Sequence, residues 1–171
     1  MGCDIHLFIQ YKKKETTSWR AHARSALELP RNYRMFGCLA RGVRCDIPGA
    51  SNDAKGIPTD LNDGWTEDEL TYVVDEDGPG DTCVPNAKAE EWVAKGSSIW
   101  WRGNFLKRIT RPDWHTHSWL TLPEYLEACI LYCQDTNDII DLPVEYYVIK
   151  KILKAYTKKG YDARVVFWFD N

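Results

Sequence analysis

The 171-residue chain reads as one α+β domain over 1–171, with its first and last strands inside a single mixed or antiparallel sheet flanked by helices. Three observations carry that prediction. Residues 3–11 alternate apolar and polar side chains, residues 163–169 are apolar or aromatic except for Arg164, and helix-capping patterns fall between them. A chain of this length buries a full core without metal or disulfide staples. Its 44% hydrophobic and 13% aromatic content marks an ordered globular protein.

Along the first strand Cys3, Ile5, Leu7, Ile9 and Tyr11 share one side, and Asp4, His6, Phe8 and Gln10 the other. Residues 12–17 form a polar turn, after which 18–23 are read as a second strand. Asn32 caps a helix whose apolar stripe is Met35, Phe36, Leu39 and Ala40, with Gly42 suited to its end. Residues 46–64 hold too many Gly, Pro, Asn and Asp for regular structure and are expected to form a long surface loop.

Thr66 and Glu69 form a capping box for a short helix, 75–85 is a second acidic loop, and Asn86 caps 87–95. Strands at 98–101 and 105–109 flank Gly103-Asn104 as a hairpin. Thr121 and Glu124 make a further capping box, with Pro123 in the first turn, for a helix to Cys133. Pro143 opens another helix, in which Val148, Ile152 and Tyr156 recur at fourfold spacing and which Gly160 ends. Antiparallel pairing of the two terminal strands brings Asp170 close to Asp4; parallel pairing does not.

A formal charge of −3 is too small to imply a general nucleic-acid binder, although charge is unevenly spread. Between Asp60 and Glu91 the only base is Lys88, whereas Arg102 to Arg111 carries only bases. No apolar run reaches membrane-spanning length. Six cysteines without a Cys-x-x-Cys, and no secretory signal read ahead of them, give the expectation of a reduced, cytoplasmic protein. The start Met1-Gly2-Cys3 invites lipidation, but the acylation pattern asks for Ser or Thr where this chain has His6.

His and Asp recur on alternate residues at Asp4/His6 and at His115/His117, with Asp113 before the second pair and Asp170 near the end of the last strand. On a strand each pair shares a face, so His115 and His117 are expected on one face. Three readings follow. In the first, His6, His115 and His117 ligate zinc or manganese, Asp4 and Asp170 orient them or act as general base, Arg31, Ser118 and Trp119 are the ligand contacts, and the bound water is the nucleophile. In the second, the histidines and aspartates form a metal-free acid/base or phosphate-binding site, with Arg or backbone amides binding the anion. In the third, they are buried and hydrogen-bonded without further role.

Cys3 beside Asp4 and His6 suggests a cysteine nucleophile, but its side chain leaves the strand on the face opposite His6. Trp100-Trp101-Arg102 and Phe105-Leu106-Lys107-Arg108 mix bases with rings as a stacking platform does, and equally as a hairpin with one solvated face does. His22 stands alone.

The chain resembles an uncharacterised family of small phage and prophage proteins. The resemblance rests on Met1-Gly2-Cys3-Asp4-Ile5-His6, Arg31-Asn32-Tyr33 with Phe36 and Leu39-Ala40, Gly56-Ile57-Pro58, His115 to Leu120, and Phe167-Trp168-Phe169-Asp170-Asn171. It implies an intracellular role in an infected bacterium, such as countering host defence by cleaving or sequestering a nucleotide signal or by binding a defence protein. The reading that joins these lines is a metal-dependent hydrolase of a phosphate-bearing small molecule. Its alternative is a non-catalytic protein that sequesters a nucleotide signal or inhibits a host defence protein. Neither a membrane nor nucleic acid is expected as partner.

Overall fold

The computed structural model describes residues 2–66, 99–102, 105–108, 115–134 and 141–170. Nine elements follow in chain order among these residues: β1 (Asp4–Lys13), β2 (Arg20–Ala21), α1 (Tyr33–Leu39), β3 (Ile99–Arg102), β4 (Phe105–Arg108), β5 (His115–Thr121), α2 (Leu122–Cys133), α3 (Val144–Lys158) and β6 (Tyr161–Asp170). The contacts divide the chain into two compact units, Met1–Asn62 with Trp114–Asn171, and Asp63–Asp113, where the sequence suggests one domain.

The first unit is α+β. Its sheet runs β2-β1-β6-β5 and is antiparallel throughout, so the terminal strands are its two interior strands. The pairing of β1 with β6 is unbroken from Asp4↔Asp170 to Lys13↔Tyr161. One face carries Ile5, Leu7 and Ile9 from β1, with Cys3 just before it, and Ala163, Val165, Phe167 and Phe169 from β6, all buried in one core with residues of α1, α2 and α3. The strict alternation along β1 causes this, because period-two side chains sort themselves between the faces. Burying a Leu or Phe there contributes about 1.5–3 kcal/mol of transfer free energy.

Each helix starts where its sequence signal lies. Asn32 Oδ1 accepts from the Met35 amide at 3.0 Å and caps α1. Within α1, Gly37 packs against the Cys45 carbonyl so closely that a Cβ would collide with backbone. Glu124 Oε2 accepts from the Thr121 amide and hydroxyl at 2.8 and 2.7 Å, completing the capping box of α2. Pro143 precedes α3, and Gly160, at φ 86°, lets the chain reverse into β6. The helices bury Cys38 and Cys129, and burial pushes these thiols up to about 11 and about 12. Among the described residues no helix is long and apolar enough to cross a membrane.

Two elements differ from expectation. The strand read over 18–23 is reduced to Arg20–Ala21, because Trp19 instead fixes its amide on Asn62 Oδ1 at 2.8 Å. Thr66, read as the start of a capping box, donates its amide and hydroxyl to Asp63 Oδ2 at 3.2 and 2.6 Å, and its expected partner Glu69 lies outside the described residues. The helix read over 87–95 also lies outside them. In the second unit β3 and β4 pair antiparallel, from Ile99↔Arg108 to Arg102↔Phe105, as the hairpin reading expects.

Candidate functional site

The sheet face turned away from the helices carries the candidate residues. Along β1 it presents Asp4, His6, Phe8 and Gln10; opposite them in register stand Asp170, Trp168, Val166 and Arg164 of β6. Phe8, Val166 and Trp168 are buried, although they belong to no part of the helix-side core. The antiparallel alternative for the termini is therefore the correct one, and it sets Asp170 directly across from Asp4.

Four charged or titratable side chains meet at this corner. His6 Nε2 lies 3.0 Å from Asp170 Oδ2, a diagonal contact across the ladder, with the two side chains 27% and 26% exposed. A carboxylate only accepts, so Nε2 carries a proton in this contact. The imidazole also stacks on Trp168 at 5.3 Å between centroids and 8° between planes, which fixes its rotation. Asp4 grips Arg31 through both oxygens, the Nη2 contact being 2.7 Å. That fork is charge-assisted and raises the Arg31 pKa, with the nearby Asp170 adding to the effect.

β5 departs from the expected geometry. Its pairing with β6 slips between His115 and Ser118, where Thr116 takes φ 54°. Left-handed backbone is unfavourable for a β-branched residue, so the bulge is a strained feature held by its surroundings. One consequence is a correction: His115 and His117 do not share a face. His115 packs by Phe169 at 5.9 Å between centroids, whereas His117 stacks on Trp168 at 6.3 Å. Phe169 and Trp168 are consecutive on β6 and point to opposite sides of the sheet.

The three expected metal ligands are therefore not gathered. β6 lies between β1 and β5, so the Trp168 indole separates His6 from His117, and His115 stands with the core. Among the described residues no group of three or more His, Cys, Asp or Glu is arranged to hold a metal ion. As placed here, the His6, His115 and His117 imidazoles do not converge on one point.

Instead His115 Nδ1 lies 2.8 Å from Thr116 Oγ1, and the Nε2 atoms of both His115 and His117 are buried without a hydrogen-bond partner among the described residues. Burial, followed by the proximity of His115, pulls the His117 pKa down to about 4, so this imidazole is neutral at ordinary pH.

The remaining candidates lie elsewhere. Ser118 is buried on the core side, where its Oγ accepts from the Lys55 amide at 3.2 Å. Trp119 returns to the other face, opposite Val166, with the Lys55 ammonium 4.1 Å from its ring. Lys55 also pairs with Glu124. Burial alone would raise the Glu124 pKa, but its bonds to Lys55 and Thr121 outweigh burial and hold it below the usual value. Cys3 is buried in the helix-side core, away from His6, as the strand geometry requires. His22 Nδ1 meets the Tyr156 hydroxyl at 2.8 Å.

One constellation escapes the sequence reading. Arg164 is 3% exposed, donates from Nε to Gln10 Oε1 at 2.9 Å and from Nη1 to Asp60 Oδ1 at 2.6 Å, and sits 3.8 Å over the Trp19 ring. Its one available signal was a lone base in an otherwise apolar strand. No family model, no curated protein and no solved structure matches the chain.

Proposed function

We propose that the Asp4, His6, Arg31 and Asp170 corner binds a phosphate-bearing small molecule and hydrolyses it by general base catalysis. The observation that supports this most directly is the 3.0 Å contact of His6 Nε2 with Asp170 Oδ2, on a partly exposed imidazole already oriented by Trp168. Asp170 holds the tautomer in which Nδ1 is the base, and stabilises the imidazolium once it forms. A water gives its proton to Nδ1 and its oxygen bonds to phosphorus. The phosphorus bond to the leaving oxygen breaks, and that oxygen keeps the electron pair and is protonated from solvent. Arg31 is the cation at hand for a phosphoryl oxygen, steered by Asp4.

The likeness to phage-encoded proteins supports a setting in which loss of a nucleotide signal would counter host defence. Turnover of bis(p-nitrophenyl) phosphate is the first test. Release of p-nitrophenolate is expected, reduced about a hundredfold in His6→Asn with the circular dichroism unchanged. Equal rates in the two proteins would overturn the base assignment. Binding of the probe without turnover would favour the alternative, a protein that sequesters a nucleotide signal or occludes a host defence protein. A zinc or manganese mass increase in native mass spectrometry that disappears in His117→Ala would restore the metal reading.

A further inference from the structure

The two sides of α3 differ in what they offer. Tyr146, Ile149 and Leu153 are buried in the core, so the fourfold stripe through Val148 that the sequence suggests is not the one that packs. On the outward side Val144, Val148, Lys151, Ala155 and Lys158 follow at alternating steps of four and three residues, and all are exposed, Val144 by 72% and Val148 by 45%. Such steps keep side chains on one line along a helix, the line against which a second helix packs. Tyr147, 42% exposed, and Lys154 flank it.

The first half of this line is apolar and the second half basic. Val144, Tyr147 and Val148 are three of the six large apolar side chains exposed among the described residues, and clustering of that kind marks contact surfaces where scattered exposure does not. Lys150 and Lys151 hold their ammonium groups 4.8 and 4.9 Å from the one Tyr147 ring. Among the described residues no carboxylate pairs with a lysine of α3, whose only acid is Glu145 in its first turn. Lys150 and Lys154, and Lys154 and Lys158, are like charges four residues apart, an arrangement unfavourable to a helix left by itself. Carboxylates laid along this side would relieve that repulsion.

We infer that the outward side of α3 docks an acidic amphipathic helix of a partner protein. Apolar side chains of that helix cover Val144, Tyr147 and Val148, and its carboxylates run along Lys151, Lys154 and Lys158. A second copy of the chain fits less well: Lys151 stands midway along the line, so a twofold pairing of α3 with α3 sets Lys151 against itself. A lipid surface also fits less well, because lysines interrupt the middle of the outward side where an interfacial helix carries its apolar stripe.

Fluorescence anisotropy with two labelled helical peptides and the whole chain tests this. One peptide carries Leu opposite Val144 and Val148 and Glu opposite the three lysines; the other has Lys in place of each Glu. Saturable binding of the acidic peptide alone is expected, weakening as salt is raised. Lys151→Glu, Lys154→Glu and Lys158→Glu together should weaken it at least about tenfold. Val148→Ser should weaken it about threefold. All four positions are exposed, and unchanged circular dichroism confirms that the helix persists.

No saturable binding at submillimolar peptide would overturn the inference, as would equal binding of the two peptides or indifference to the triple reversal. Co-sedimentation with phosphatidylglycerol vesicles without peptide binding would assign the surface to a membrane instead. A concentration-dependent dimer abolished by Val148→Ser would assign it to a second copy. His6→Asn should bind the acidic peptide as the parent does, so this surface and the catalytic reading fail independently.

Discussion

At one end of the sheet's polar face the charged groups stand partly in water; at the other a charge is sealed against an indole. His6 and Asp170 are about a quarter exposed and Arg31 is about half exposed, whereas Arg164 is 3% exposed. Exposed pairs add little to stability because water competes for both partners, which leaves them free to be used on a ligand. Arg164 itself has no such competitor, although its partner Asp60 is 54% exposed, and removing the guanidinium takes a donor from the buried Gln10 amide. The same two strands thus carry a chemical end and an architectural end.

The largest expected effect lies at the architectural end. Arg164→Leu strips the acceptors Gln10 Oε1 and Asp60 Oδ1 of their donor and should lower the unfolding free energy by about 3 kcal/mol. A denaturant midpoint shift equivalent to less than about 1 kcal/mol would show that the two ends do not differ as described.

Next comes acid sensitivity at His117. Its native pKa of about 4 lies below the ordinary 6.5, so the unfolded chain takes up this proton first as pH falls. Stability is therefore complete above about pH 6.5 and declines towards pH 4, by up to roughly 3 kcal/mol. His117→Phe should flatten that decline without loss at neutral pH, because the buried Nε2 has no partner among the described residues to lose. Melting temperatures across this pH window would show it.

Thr121→Ala should cost about 1 kcal/mol by opening the capping box of α2, measured by thermal or urea unfolding. Smallest of all, Asp170→Asn should change stability by about 0.5 kcal/mol or less while turnover falls at least about tenfold. A large stability change there would make the His6 pair architectural too.

Much of the fold was legible because its signals are local. The alternation of β1, the Asn32 cap and the Thr121–Glu124 box each lie within a few residues, and each stands where the sequence put it. The neighbouring of Asp4 and Asp170 was legible only as a conditional, since strand polarity is a property of the whole topology. The β5 bulge was not legible: nothing marks Thr116 for left-handed backbone, and a one-residue slip moves His115 to the opposite face. Nor could local pattern join Asp60 to Arg164, which meet across 104 positions of chain.

The central pairing of β1 with β6 also sets the order in which the molecule can be made. The two strands that hold the core together are separated by residues 14–160, so the sheet's middle cannot close until β6 has been synthesised. Closing so long a loop precedes the reward of the contacts it brings. During that interval β1 has only the two-residue β2 beside it, its other edge stays open, and a chain stopped before residue 161 would leave that edge open permanently.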